Sequence, residues 1–345
     1  MIWKKDLLNN LSGVSYLYCR LKSRDKLTSN DLVVITGCSS GLGYSLALYC
    51  RQNGANVVAG VLQTDCLAVK KLEEEGIVVY PLDLMDINSI TVYLYNRISV
   101  PVLRCVINNA AVMVFGEFEW QTYGQLKNQL EVNFLGAILI TQELMPLIRA
   151  HHSRIIVVSS HCNAQPIPGA SVYSGTKAAI SAWATALRIE LKKYGIRVVC
   201  VVPGSFVRES NIFTRQCDHF EAMKWVMPQE TINFYGDYLS RYIQYFSSLA
   251  RDSETKGVKT VRDTRIIETF ESALLDRYPS AVYKNETWRY AIYHTLFSIT
   301  PTVLRDRLVE RFVQGPVWTK EDAAKSVEAV QKELNGMYKR QEHSV

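Results

Sequence analysis

Leu32-Val33-Val34-Ile35-Thr36-Gly37-Cys38-Ser39-Ser40-Gly41-Leu42-Gly43 decides how the rest of the chain is read. The first four residues are apolar, three of them β-branched, and they predict a short buried strand. A helical pattern follows the last glycine and runs to about Asn53. Glycines between a strand and a helix allow a tight turn and let a pyrophosphate approach the helix N-terminus. A Gly-rich turn without a ligand is the alternative. The position at the start of a βα repeat favours the nucleotide reading.

The repeat continues outward from this turn. Strands are expected at Asn56 to Leu62, Ile77 to Tyr80, Leu103 to Ile107, Arg154 to Val158 and Arg197 to Val202, with helical patterns between them. Such alternation predicts an α/β fold, a doubly wound parallel sheet. The strand ends carry the polar residues. Asp83 can accept a hydrogen bond from an adenine amino group, Asn108-Asn109-Ala110-Ala111 is small enough for a ribose, and Pro203-Gly204 closes the last of these strands. Ser159-Ser160 stand at the end of the strand Arg154 to Val158, and a helix from about Ser171 carries Tyr173 and Lys177 on one face, one turn apart. Ligands in open α/β sheets bind outside the carboxyl ends of the strands, so this Ser, phenol and ammonium form a candidate proton-transfer site. A long helix from about Thr122 to Arg149 holds Asn133 among apolar neighbours, where a buried amide needs partners.

One expected residue is missing. Many dinucleotide folds place an acid about twenty positions beyond the glycines to hold the adenosine ribose. Here Val61 stands near that spacing, followed by Leu62-Gln63-Thr64-Asp65, with no Arg or Lys for a 2′-phosphate.

The chain has 345 residues, 48% of them hydrophobic, and a formal charge of +6. A mild charge without a basic block argues against nucleic acid as a partner. The eight cysteines are scattered, and none forms Cys-x-x-Cys. They read as reduced, buried residues. Three regions are expected: an amphipathic segment at 1–30, a dinucleotide-binding domain at 31–285, and a C-terminal extension at 286–345. In the first, Trp3 and several leucines mix with lysines and arginines, which suits a helix lying in a membrane interface. A transit peptide or a plain frayed terminus are the alternatives. Within the domain, residues 206–256 are dense in Phe, Tyr and Trp at helical spacing. They read as a lid over an apolar substrate, with plain core packing as the alternative. A helix is expected at Thr260 to Arg277, a last strand at Ser280 to Tyr283, and a mobile charged helix from Glu321.

Taken together, Thr36-Gly37-x-x-x-Gly41-x-Gly43, Asp83, Asn108-Asn109-Ala110, Asn133, Ser160, Tyr173-x-x-x-Lys177 and Pro203-Gly204 resemble the short-chain dehydrogenase/reductase family over about residues 30–280. Gly37-Cys38-Ser39-Ser40-Gly41, Tyr278-Pro279-Ser280-Ala281-Val282-Tyr283 and Thr300-Pro301-Thr302-Val303-Leu304-x-Asp306 are similar to its retinol, hydroxysteroid and 3-hydroxybutyrate dehydrogenase branch. The resemblance implies a Rossmann-type domain and an NAD(P)-dependent oxidoreductase. It implies catalytic Asn133, Ser160, Tyr173 and Lys177. It implies cofactor contacts from Thr36, Gly37, Ser39, Ser40, Gly41, Leu42, Gly43, Asp83, Leu84, Asn109, Ala110, Tyr173, Lys177, Pro203 and Gly204, and no metal. The expected substrate is a hydrophobic secondary alcohol or ketone of steroid, sterol or retinoid class, an ecdysteroid among the candidates. A 3-hydroxybutyrate-like acid or an inactive nucleotide-binding regulator are the alternatives. NAD is weakly preferred over NADP, for want of a cation near Leu62. Expected partners are a peripheral membrane contact, at the endoplasmic reticulum or cytoplasmic side or else in the mitochondrion, and a second copy of the chain as a homo-oligomer.

In the expected chemistry Tyr173 takes or gives the hydroxyl proton. A free tyrosine titrates at about 10. A nearby Lys177 ammonium and an oxidised nicotinamide would lower that value. Ser160 would hold the substrate oxygen, and Asn133 a water leading from Lys177 to solvent. Three residues depart from the family pattern: Ala111, Ser39, and Arg208, which stands where a Thr often meets the carboxamide.

Overall fold

The computed structural model describes residues 23–342 apart from 87, 91–101 and 252–256. The interface helix expected within residues 1–20 lies outside the described residues. Seven strands form one parallel sheet in the order β3-β2-β1-β4-β5-β6-β7. They are β1 (Asp31–Thr36), β2 (Asn56–Val61), β3 (Val78–Pro81), β4 (Val102–Asn108), β5 (Arg154–Val158), β6 (Arg197–Val202) and β7 (Val282–Lys284). The order runs outward both ways from β1, so the crevice at the carboxyl ends of β1 and β4 is the topological switch point.

Alternation along the strands divides the core. Val33 and Ile35 of β1 face α1 (Gly41–Gln52), α2 (Leu67–Glu74) and α7 (Thr264–Leu275). Leu32 and Val34 face α3 (Tyr123–His151) and α4 (Ser171–Leu191). Period-two side chains buried on both faces explain the near-continuous apolar strand sequences. α3 is long and apolar enough by composition to cross a membrane. Here it packs Ile140, Leu144 and Ile148 against the sheet, as a core helix does. It contains one π-helical turn, Glu131–Leu135, which the sequence pattern does not reveal. Such turns are rare and cluster at functional sites.

The aromatic segment holds α5 (Gln216–Val226) and α6 (Gln229–Arg251), the latter kinked at Gly236 where φ is 47°. Most of its rings form a third core, not an open lid face. Phe220, Tyr238 and Tyr242 are buried against Trp120, whose ring centroid lies 5.0 Å from that of Tyr242. The phenols of Tyr235 and Tyr238 donate to Glu119 and Glu117, each at 2.8 Å. Among the described residues, Phe206, Phe213, His219 and Phe246 of the segment's rings reach the crevice. The segment still walls the cleft through Phe206, Phe213, Phe246 and Leu249, while edge-to-face packing into a core holds most of its other rings.

The C-terminal extension folds as α8 (Trp288–Ile299), α9 (Thr302–Val313) and α10 (Lys320–Glu342). The expectation of a mobile tail is corrected for α10. Arg241 of α6 pairs with Asp322 at 2.7 Å, Lys325 with Asp237 at 2.8 Å, and Trp318 stacks on Phe234. Among the described cysteines, Cys38, Cys50, Cys105 and Cys200 are buried, whereas Cys66, Cys162 and Cys217 are half-buried. All are free thiols.

If the aromatic cluster is core, Trp120→Ala should destabilise the chain by about 3–5 kcal/mol, the usual cost of deleting a buried ring. Urea unfolding of both proteins measures this; a loss below about 1 kcal/mol would return these rings to a loose lid.

Candidate active site

The nucleotide end of the crevice is built around the ends of β1 and β4. Thr36 Oγ1 accepts the backbone N–H groups of Asn109 and Ala110, both at 3.0 Å. Asn109 Nδ2 donates back to the carbonyls of Thr36 and Gly37, at 2.9 and 3.2 Å. Gly37 has φ of 73°, and a Cβ there would stand 2.8 Å from Ala110 Cα. A Cβ on Gly43 would run into the Gly37 carbonyl and stand 2.5 Å from Asn109 Nδ2. Gly41 has φ of 57°, and a Cβ there would stand 2.6 Å from Ser210 Cβ, so all three motif glycines are required by close approach, as a dinucleotide cradle demands.

A cleft of about 1550 Å³ runs from this cradle to Tyr173. Gly37, Ser39, Ser40, Leu42, Asp83, Leu84, Asn109, Ala110, Tyr173, Lys177, Pro203 and Gly204 all line it. Thr36, Gly41 and Gly43 lie behind that wall and shape it. Asp83 turns one carboxylate oxygen to its own Met85 N–H at 2.9 Å. A feature the sequence reading missed lies over the helix start: Gly41 N–H donates to the Lys259 carbonyl at 2.7 Å, and Asn211 N–H to Ser40 Oγ at 3.1 Å. The segment after β6 and the residues before α7 thus strap the glycine turn. These residues fit a bound NAD(P): a glycine cradle, small side chains at the β4 end, and polar groups along one continuous wall.

At the other end, Ser160 caps a short 3₁₀ turn after β5, its Oγ accepting Cys162 N–H at 3.3 Å. The Tyr173 phenol is buried. Burial pushes it above its ordinary range, with the Cys162 thiol adding to the shift and the nearby Ser160 hydroxyl opposing it. The expected lowering by Lys177 is corrected here. Lys177 Nζ donates to the Val158 carbonyl at 3.0 Å and stands 5.8 Å from the Tyr173 ring centroid, over the ring. Burial lowers the Lys177 ammonium to about 8. Charging a group in a dry site is costly, and neither side chain escapes it.

Asn133 lies behind the cleft. It sits in the π-turn of α3, 2% exposed, and does not line the cleft. Its Oδ1 accepts Val112 N–H at 2.7 Å, and its Nδ2 donates to Val112 O and Thr176 Oγ1 at 2.8 and 3.1 Å. Both amide protons are spent on the frame, so the side chain braces Thr176, the neighbour of Lys177. Arg208 lies exposed on the cleft rim, which removes the cost of burying a guanidinium without an anion.

Several lining residues escaped the sequence reading. His161 and Cys162 directly follow Ser160, and adjacency was the signal available. Tyr290, His294 and Phe297 come from α8, and Phe312 from α9. Tyr290, His294 and Phe297 recur at helical spacing on one face of α8, a signal that exists in the sequence but carries no partner. Burial lowers His161 to about 4, with His294 adding to that and Glu286 opposing it.

The lowered Lys177 value has a consequence for stability. Its folded value lies below the ordinary lysine value, so burying the charge costs stability below about pH 8 and the cost fades as pH rises towards 10.5. Lys177→Met should therefore gain most over wild type near neutral pH, and the gap should close at alkaline pH. Urea midpoints of both proteins across that range check the sign; a gap that widens with pH would refute it.

The sequence comparisons agree with this geometry. Residues 31–216, more than half the chain, match the family model described as short chain dehydrogenase. Estradiol 17-beta-dehydrogenase 2 of Rattus norvegicus is 27% identical over 88% of this chain and 81% of its own length. Retinol dehydrogenase 7 of Mus musculus is 28% identical over 80% and 87%. The mitochondrial D-beta-hydroxybutyrate dehydrogenase of Mus musculus is 29% identical over 83% and 85%. With its parallel sheet, glycine cradle and Ser-Tyr-Lys cluster, the chain belongs to the short-chain dehydrogenase family of NAD(P)-dependent oxidoreductases, in the branch related to hydroxysteroid, retinol and hydroxybutyrate dehydrogenases.

Proposed function

We propose that the chain interconverts a hydrophobic secondary alcohol and its ketone, of steroid, sterol or retinoid size, with Tyr173 as general acid and base. The observation that carries this is the chamber beyond Tyr173. Phe115, Ile167, Phe246, Leu249, Tyr290 and Phe312 line both the main cleft and a second cavity of about 1000 Å³ that adjoins it. Apolar walls with a few convergent polar groups suit a large apolar ligand. Ecdysteroids fall within this size and polarity. A hydroxy acid would look to Arg208, which is solvated at the rim and so gives an anion little advantage.

Bound nicotinamide supplies the acceptor or donor of hydride. Everything else falls to side chains of this chain. In oxidation the substrate hydroxyl gives its proton to Tyr173 Oη, and in reduction Tyr173 returns it. Ser160 holds the substrate oxygen while charge develops there. Lys177, braced through Thr176 by Asn133, keeps a positive charge beneath the Tyr173 ring and offers its ammonium to a ribose hydroxyl. With the phenol raised by burial, proton removal depends on the added positive charge of an oxidised nicotinamide.

The adenosine end favours NAD over NADP. Arg51 stands in the last turn of α1, away from the glycine turn, and is turned to the Glu75 carbonyl at 2.9 Å. Lys70 does not line the cleft, whereas Leu62 and Gln63 do.

We further propose that the protein is a peripheral membrane enzyme. α8 and α9 leave Trp288, Ile292, Ile299 and Val303 exposed, three of them by more than 70%. Arg289 and Arg305 stand beside them, an aromatic–basic mixture suited to a lipid interface. The endoplasmic reticulum or cytoplasmic side is the proposed site, with the mitochondrion as the alternative. The homo-oligomer would use the apolar residues left exposed on α3 and α4, Leu130, Leu135 and Ile189.

Tyr173→Phe should lower turnover of a steroid or retinoid alcohol by about a hundred- to ten-thousandfold. NADH should still bind to it, and more tightly than NADPH. Activity confined to 3-hydroxybutyrate and lost in Arg208→Ala would reject the hydrophobic substrate. In vesicle sedimentation, Ile299→Asp with Val303→Asp should weaken binding to anionic liposomes; unchanged binding would remove α8–α9 from the membrane contact.

A further inference from the structure

We propose that His161, Glu286 and His294 form a site for a divalent transition-metal ion of the zinc class, clipping α8 to the turn that follows Ser160. The three residues come from separate elements. His161 opens the 3₁₀ turn after β5, Glu286 follows β7, and His294 lies in α8. Glu286 Oε1 stands 3.2 Å from His161 Nδ1 and 3.2 Å from His294 Nδ1. All three donor atoms fall within 4.8 Å of one another. Tetrahedral zinc, with bonds of about 2.0–2.2 Å, holds its ligands roughly 3.3–3.5 Å apart. Two edges of the triangle already match, and rotation of the imidazoles closes the third.

The chemistry of the donor set selects the ion. Two imidazoles and one carboxylate suit a borderline cation and leave a fourth position for water. Calcium and magnesium require more oxygen ligands than this cluster offers. The side chains are 13–16% exposed, so the site is shielded. His161 and His294 also line the cleft, which provides the entry path. One charge opposes binding: Lys284 Nζ lies 4.0 Å from Glu286 Oε1. That side chain is more than half exposed and free to swing into solvent.

A metal here would set the shape of the substrate chamber. α8 carries Tyr290 and Phe297, and another described polar link from the Ser160 turn region to α8 is a 3.4 Å bond between Gln165 and Ser298. Ligation would join the wall of the chamber to the residue that holds the substrate oxygen.

The test uses the full-length chain with any affinity tag removed. Zn²⁺ is titrated by calorimetry, and Co²⁺ by visible absorption, in wild type, Glu286→Gln, His294→Ala, Lys284→Gln and Cys162→Ser. The expected result is one equivalent bound, with the intense absorption of tetrahedral cobalt. Glu286→Gln and His294→Ala should each weaken binding by at least about a hundredfold. Lys284→Gln should tighten it, and Cys162→Ser should leave it unchanged. Zn²⁺ should also raise the melting temperature of wild type but not of Glu286→Gln, which separates loss of the site from loss of the fold. Equal binding by wild type and Glu286→Gln, dependence on Cys162, or no stoichiometric binding by wild type would each overturn the proposal.

Discussion

The structure depends on the knot between the ends of β1 and β4. Thr36 and Asn109 exchange four hydrogen bonds across the two strands, counting those to Ala110 N–H and the Gly37 carbonyl. A parallel sheet leaves its carboxyl-end backbone groups facing solvent, and side chains must satisfy them. Satisfying them here also fixes the floor on which a nucleotide lies. Gly37 and Gly43 then let the helix of α1 approach that floor without a Cβ in the way. Nucleotide binding and strand-end satisfaction are one constraint solved by the same residues.

The proton-transfer end is governed by burial. Tyr173 and Lys177 are both withdrawn from water, and burial moves each away from its charged form. With Lys177 lowered only to about 8, its ammonium still carries the charge near neutral pH, while the phenol stays neutral. Lys177 is held in place by its hydrogen bond to the Val158 carbonyl. Burying the Lys177 ammonium costs stability that would be offset if a negatively charged group bound beside it. Asn133 contributes from behind, through Val112 and Thr176, where its amide is fully engaged.

The apolar end of the cleft is assembled by elements far apart in the chain. Phe115 comes from the loop after β4, Phe246 from α6, and Tyr290 with Phe312 from the C-terminal hairpin. Phe115 and Phe246 stack with centroids 4.7 Å apart, joining the aromatic core to the chamber wall. The C-terminal extension is therefore part of the active-site architecture and not an appendage.

By itself the sequence determined the sheet and the polar line along its edge. Strand period, glycine spacing and the Tyr-Lys interval are local patterns, and local patterns are legible because backbone geometry sets them. The family pattern at Ser160, Tyr173 and Lys177 was visible for the same reason. Only the tertiary structure decided which aromatics are core and which face the cleft, because helical spacing states a face but not its neighbour. It turned Asn133 inward, since the π-turn that aims its amide depends on packing and not on propensity. It docked α10 through Arg241 and Asp322, and it brought His161, Glu286 and His294 together. No spacing rule links Arg241 to Asp322, nor His161 to Glu286 and His294 so much later in the chain. Their meeting follows from where β7 and α8 pack once the sheet is closed.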